Sequence, residues 1–335
     1  MRKLLILIVA AALFWSIYWV VGSIGAQKGF EAWFENRRAE GWVAEYSEFS
    51  LWGFPNRFDA TFTDIALADP GTGLAWEAPF FQILALSYSP NHVIAVWPNN
   101  QLIATPQDKF DLTSSKMRAS LVVKPDTALA LDRMTLTAET IKIEAQSGRS
   151  PTSVANLRLA AEQLAEGDEP RYRLGLAADG LVPGTDWQRR FDPDNTLPDT
   201  LQPVSVDMTV LFDKTWDMSA IEDARPQPRE IELTLAEARW GQLALAAAGS
   251  LEVDEAGQPT GTITVKARNW RDILDLVRNS GSLPETMIQP IEDGLGLMAQ
   301  LSGNPKTLDI PLKFSGGRIW LGPVPIAPAP ELRLR

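Results

Sequence analysis

The feature that most limits the fold stands at the start of the chain. Arg2 and Lys3 are followed by Leu4 to Val21, LLILIVAAALFWSIYWVV, without one charged side chain, and the next charge is Lys28. At about 1.5 Å rise per residue, a helix of this length spans most of a hydrocarbon core of roughly 30 Å. It predicts a transmembrane helix over residues 4–22, with Trp15, Tyr18 and Trp19 toward its outer end, where aromatic rings favour the membrane interface. A cleavable signal peptide is the competing reading. Its apolar region runs to about 7–15 residues, shorter than this one, although Ser23, Gly25 and Ala26 leave a site for cleavage. Basic residues before the run and a long chain after it predict a cytoplasmic N-terminus with the body on the far side of the membrane.

The rest of the 335 residues has the composition of a folded protein, with 45% hydrophobic and 22% charged residues in the whole chain. A single apolar run excludes a polytopic membrane protein. Cysteine is absent, which excludes disulfides, a thiolate nucleophile and cysteine-ligated zinc or iron–sulfur clusters. The one histidine, His92, excludes histidine-cluster metal sites. The net charge is −11, and setting aside Arg2 and Lys3 leaves 29 basic against 42 acidic residues, or −13. Such a body is ill suited to gripping nucleic acid and stays soluble beside anionic headgroups. No cofactor, metal or nucleic-acid partner is expected.

Behind the run, residues 26–41 predict a juxtamembrane helix. Phe30, Trp33 and Phe34 recur at helical spacing, with Gly41 as its stop, and this face rests either on lipid or, the plainer reading, on the first sheet. From Trp42 the period changes to two. Phe58, Ala60 and Phe62 alternate with Asp59, Thr61 and Thr63, after which Ile65 and Leu67 continue one residue out of step. Met134, Leu136 and Ala138 give way to Ile141 and Ile143 in the same manner, which predicts a bulge or two strands. Residues 151–166 fit either strand or helix. The Asp-, Pro- and Asn-rich stretch 179–203 predicts a long loop between an N-terminal β subdomain, 42–178, and a C-terminal one, 204–335. The latter includes a helix pair over 269–302: Asn269 is the expected cap of the first helix, Pro284 suits the first turn of the second, and Gly303 ends it. A hairpin over 308–321 precedes a proline-rich tail. The fold expected is mainly β with a few helices: a long curved antiparallel sheet or a sandwich behind an N-terminal transmembrane helix.

Several segments carry a resemblance. The apolar leader, GFPNRF at 53–58, GSLEVDEAGQPTGTITVKARNW at 249–270 and LDIPLKFSGGRIWLGPVPIAPAPEL at 308–332 together resemble the bacterial domain-of-unknown-function family 2125. The resemblance implies an envelope protein held at the bacterial inner membrane; together with the single apolar run and the basic residues before it, the expectation is a single-pass protein with its C-terminal body in the periplasm. It brings no catalytic residue and no cofactor. The 249–265 hairpin is also similar to those of AsmA-like envelope proteins, whose β-rich bodies are associated with lipid movement, an analogy at the level of fold.

Chemistry is sparse. His92, in SPNHVIAVWP, has no G-x-S-x-G elbow to accompany it, and a surface turn position is the plainer reading. The acidic clusters Glu166/Asp168/Glu169, Asp192/Asp194 and Glu252/Asp254/Glu255 match no calcium loop; FDPDN at 191–195 comes nearest and lacks the third ligand and the glycine. In GFPNRF and the residue before it, Trp52, Phe54 and Arg57 form the candidate ligand-binding group, a mouth where aromatic rings meet a lipid and the guanidinium meets an anionic headgroup. Against it stands a strand entry whose aromatics fill the core and whose arginine pairs with a carboxylate. The function expected is a non-enzymatic, membrane-anchored envelope protein that binds lipid or another hydrophobic ligand on an apolar β face. An assembly or scaffolding protein that binds envelope proteins is the alternative, and an unrecognised hydrolase the third.

Overall fold

Strand pairing turns the alternating segments into one surface. A computed structural model describes residues 1–164, 169–281, 284–301 and 304–334, and its strands form a single sheet of seventeen. They are β1 (Val43–Glu45), β2 (Glu48–Trp52), β3 (Arg57–Asp69), β4 (Leu74–Leu86), β5 (Ser89–Val96), β6 (Asn100–Ala104), β7 (Lys109–Val123), β8 (Leu131–Ala145), β9 (Thr152–Gln163), β10 (Arg171–Asp179), β11 (Val204–Phe212), β12 (Pro228–Trp240), β13 (Leu243–Val253), β14 (Pro259–Arg268), β15 (Thr307–Ser315), β16 (Arg318–Leu321) and β17 (Val324–Pro328). The helices are α1 (Arg2–Ala39), α2 (Thr185–Phe191), α3 (Ser219–Glu222), α4 (Trp270–Ser280) and α5 (Glu285–Leu301). Strands pair antiparallel with their chain neighbours from β3 to β17. The local departures are β1 and β2, which both lie along β3, and β5 and β6, which share the space between β4 and β7. Of the two architectures expected, the single long sheet is the one found.

The registers segregate the faces. Phe62 and Ala60 of β3 stand opposite Phe81 and Ile83 of β4, and the same face continues through Leu121, Met134, Ala161, Leu174, Met208 and Leu233 to Ile263 and Leu312. The reverse face carries Thr61, Ser120, Thr135, Arg173, Asp207, Glu232 and Thr262 at the intervening positions. One face is therefore mainly apolar and the other mainly polar, with Leu84 and Ile94 among the exceptions on the polar side, as in antiparallel sheets with one wet side.

The two slips in alternation are kinks at left-handed residues. Asp64 and Thr140 have φ 48° and 51°, and both lie within continuous strands. Register toward β4 and β9 is the same on either side of them: Thr63 faces Phe80 and Ile65 faces Ala78, while Glu139 faces Asn156 and Ile141 faces Val154. Toward β7 the register shifts around Ser115, which faces Glu139, as the expected bulge would require. Neighbouring strands thus kink together, and Phe62 with Ile65, and Ala138 with Ile141, stay buried on the same face. Lys116 (φ 51°) and Gly180 (φ 63°, against Ala155) continue this crease across the sheet.

Three elements cover parts of the apolar face. The membrane-length run and the 26–41 segment form one continuous helix, α1. Its Phe30, Trp33 and Phe34 pack on Phe49, Phe62 and Ala78, so the juxtamembrane face rests on protein as expected. Helices α4 and α5 bury Leu274, Ile288, Ile291 and Leu295 against Ala267 and Leu308. The C-terminal tail lays Ala329 and Leu332 over Leu251, Ile263 and Phe314. The accessible surface is nonetheless 19774 Å², against about 13,600 Å² for a compact chain of 36.9 kDa. The projecting half of α1 and a partly covered apolar face make the excess.

Some expectations change. Residues 152–163 are strand, β9. The 179–203 stretch holds α2, and the strands that flank it, β10 and β11, pair along eight positions, so the sheet runs through. Asn269 sits at the N-cap of α4 with φ 55°, but its amide donates to Gln242 O at 2.8 Å and caps nothing. Helix α4 stops at Gly281 (φ 64°), and Glu166, Asp168 and Gly303 lie outside the described residues. The tail contains an unexpected strand, β17, whose prolines are tolerated where a strand has a free side.

Glycines at 249 and 261 let β13 and β14 approach closely. Their φ values are 149° and 146°, and a Cβ there would meet Thr262 O at 2.2 Å and Ser250 O at 2.3 Å. Gly249→Ala should therefore cost about 2 kcal/mol or more in thermal or urea unfolding of the detergent-solubilised chain. Gly148→Ala, where φ is 84° and the surroundings are open, should cost only about 1 kcal/mol.

Candidate functional site

Antiparallel pairing gathers alternate turns at one end of the sheet. Arg57 faces Leu86, Val123 faces Leu131, Tyr172 faces both Gln163 and Val210, Phe212 faces Pro228, and Val253 faces Pro259. The turns beyond these residues share that end, while α2 and the start of α4 lie at the other. Helix α1 runs alongside β3 between the two ends. Gly22 abuts Phe58 near the first, and Arg38 Nε donates to Ala44 O near the second, at 2.7 Å.

At the first end the apolar face opens into a cavity of about 540 Å³, within the range of ligand sites. Its floor is sheet: Met134, Ala161, Leu174, Met208, Val210 and Ile231. Tyr172, buried to 1% exposure, stacks edge-on to Phe212, which in turn meets Trp216 edge-on at 5.5 Å. The Tyr172 hydroxyl accepts the Trp216 N–H at 3.2 Å, so its one polar atom is partnered, and burial pushes its ionisation upward. The tail closes the cavity with Leu332 and Leu334. Gln227 holds it by a reciprocal pair: its Nε2 donates to Leu334 O at 2.8 Å and its Oε1 accepts the Leu334 N–H at 2.9 Å. The Leu332 N–H adds a bond to Gly257 O at 2.8 Å. The lining is mainly apolar, with Glu331 and Arg333 the charged residues that border it, and suits an alkyl chain.

The GFPNRF segment lies at the same end, where it joins β2 to β3. Phe58 meets α1, stacking with Trp19 at 5.8 Å. Trp52 and Phe54 do not fill a core: they are 74% and 56% exposed. Arg57 pairs with Asp59 at 3.0 Å and remains half exposed. The structure therefore keeps the arginine–carboxylate pair of the bland reading and none of its buried aromatics at 52 and 54. These three residues do not line the cavity. Tyr172 and Leu174, its centre, are not among the residues that sequence reasoning singles out, although their alternation with Arg171, Arg173 and Gly175 is a visible strand signal.

Other candidates carry little. His92 lies within β5, not in a turn; its Nε2 is 2.8 Å from Ser120 Oγ on the exposed polar face, with no carboxylate hydrogen-bonded to it among the described residues. Hollows of about 590 and 940 Å³ are lined partly by charged groups, Asp64, Glu77 and Asp111 in one, Arg171, Glu230 and Glu232 in the other. Among the described residues no three His, Cys, Asp or Glu side chains form a group able to hold a metal. Asp192 of FDPDN organises its own loop, accepting from Thr196 N, Thr196 Oγ1 and Leu197 N at 2.8–3.0 Å. Burial alone would push its carboxyl up, but these donors hold it below the usual range.

A family model described as "Uncharacterized protein conserved in bacteria (DUF2125)" matches residues 19–330. No curated protein and no solved structure matches the chain.

The tail contact is directly measurable. Gln227→Ala removes both bonds to Leu334, so amide hydrogen exchange at Leu334 should quicken roughly fivefold or more while Leu332, bonded to Gly257, changes less.

Proposed function

Since the chain belongs to the DUF2125 family of uncharacterised bacterial proteins, and its sheet has one apolar face with a cavity at one end, we propose that it is a membrane-anchored, non-catalytic binder of acyl lipid. In this reading α1 spans the bacterial inner membrane through residues 4–22 and the body lies in the periplasm. The observation that carries it is the apolar cavity of about 540 Å³ on an incompletely covered face. An apolar surface of this extent loses free energy to water at about 25 cal/mol per Å² unless something covers it. Alkyl chains supply that cover without any polar partner, and the lining offers almost none.

Supporting the anchor, α1 is long and apolar enough to cross a membrane, and none of its apolar window is buried in the protein. Trp52, Phe54 and Arg57 are the proposed lipid-contacting mouth at the same end of the sheet as the cavity, with Arg57 placed for an anionic headgroup.

The test uses the full chain purified in detergent and examined for co-purified lipid by native mass spectrometry. Wild type should carry acyl lipid. Ala161→Trp, which fills the cavity, should lose most of it, and Ala160→Trp, on the opposite face of the same strand, should keep it. Wild type free of lipid, or equal loss in both variants, would sink the proposal. Cross-links from Ala161 to envelope proteins in intact cells would favour the scaffolding role instead.

A further inference from the structure

The aromatic side chains of the spanning run are bound to the body. Trp15 Nε1 donates to Pro55 O at 2.9 Å, Tyr18 OH to Ser87 O at 2.6 Å and Trp19 Nε1 to Arg57 O at 2.8 Å. Phe54 packs edge-on to Trp19 at 5.4 Å. These contacts pose a geometric choice. If the tips at 53–57 and 86–88 stayed in water, α1 would be in water from Trp15 onward. Leu4 to Phe14 would then be the only immersed stretch, at about 1.5 Å per residue roughly 16 Å long, half of a hydrocarbon core of roughly 30 Å.

Resting on the proposal that α1 spans, we infer that both hairpin tips are sunk into the outer leaflet beside it, so that the sheet stands with its cavity end against lipid. The partner is the lipid phase itself. The exposed residues agree: Trp52, Phe54 and Tyr88 at 74%, 56% and 65%, with Leu86 at 40%. From Leu86 to Asn91 there is no charge, and from Trp52 to Phe58 the only one is Arg57, whose long side chain can reach back to the phosphates.

The backbone agrees more pointedly. In lipid, unpaired carbonyls and amides cost several kcal/mol each. Here Gly53 O accepts from the N–H groups of Asn56 and Arg57, and Asn56 O from Ser87 N–H. Pro55 O accepts from Trp15 and from Ser87 Oγ at 3.2 Å, Arg57 O from Trp19 and Ser87 O from Tyr18. The helix thus supplies donors from inside its own apolar run to three carbonyls of the tips, those of Pro55, Arg57 and Ser87.

The natural absence of cysteine permits a clean test. Phe54→Cys, Tyr88→Cys and, in the exposed turn just past the other end of β3, Pro70→Cys are each labelled with a polarity-sensitive fluorophore in the full chain. The proteins are placed in nanodiscs of phosphatidylethanolamine and phosphatidylglycerol. Probes at 54 and 88 should be blue-shifted, quenched by spin-labelled acyl chains and insensitive to iodide, while the probe at 70 should show the reverse. Iodide quenching at 54 and 88 equal to that at 70, in protein that co-elutes with the discs, would overturn the inference and leave the anchor standing. Protein that elutes apart from the discs would overturn the spanning reading and this inference with it. Two tip positions, and β-type circular dichroism for each variant, guard against a misfolded substitution.

Discussion

Strand register is the constraint on which the rest depends. With a side-chain period of two, a single slip in one strand would turn its apolar residues to water and break the common face. The chain avoids this at the crease, where β3 and β4, and again β8 and β9, kink at the same level and keep their partners. The left-handed residues Asp64 and Thr140 cost local strain, but they keep Ile65 and Ile141 in the same buried surface as Phe62 and Ala138. Coherence of that face then creates a second problem, because its area exceeds what the helices and tail can cover.

The covers are distributed unevenly. Helix α1 protects the β3–β4 side and the α4–α5 pair the β13–β15 side, each with aromatic or branched side chains buried to a few per cent. Between them, over β8 to β12, lies the cavity, bordered by Trp216 and closed by a short tail held through Gln227, Leu332 and Leu334. A short segment fixed by a few hydrogen bonds opens more readily than a packed helix. The lightest cover therefore lies over a mainly apolar lining.

Much of this is legible in the sequence. Alternation at 58–62, 204–212 and 263–267, with turn clusters between, marks the strands, and the out-of-step positions near 64 and 140 mark the kinks. The helix pair shows in the spacing of Ile273, Leu276 and Val277 and of Ile288, Ile291 and Leu295. What stays hidden depends on contacts between distant segments. Nothing local says that Leu332 would meet Phe212's neighbours, or that Asn269 would turn its amide toward Gln242 and leave the helix uncapped. GFPNRF is recognisable as a bend with exposed chemistry, but its partner is a helix some forty residues upstream, and no period reports that.

That partnership bears on how the body is oriented. A single spanning helix joined by a flexible link would let a soluble module tumble above the bilayer. Here α1 continues without a break from Arg2 to Ala39, its last turns are fixed by Phe34 in the core and Arg38 on Ala44, and its middle is fixed by the 53–58 and 86–88 tips. Two separated attachments along one rod leave little freedom to tilt, so helix and sheet move as a unit. If the helix crosses the membrane, the strands that run beside it stand roughly along its normal.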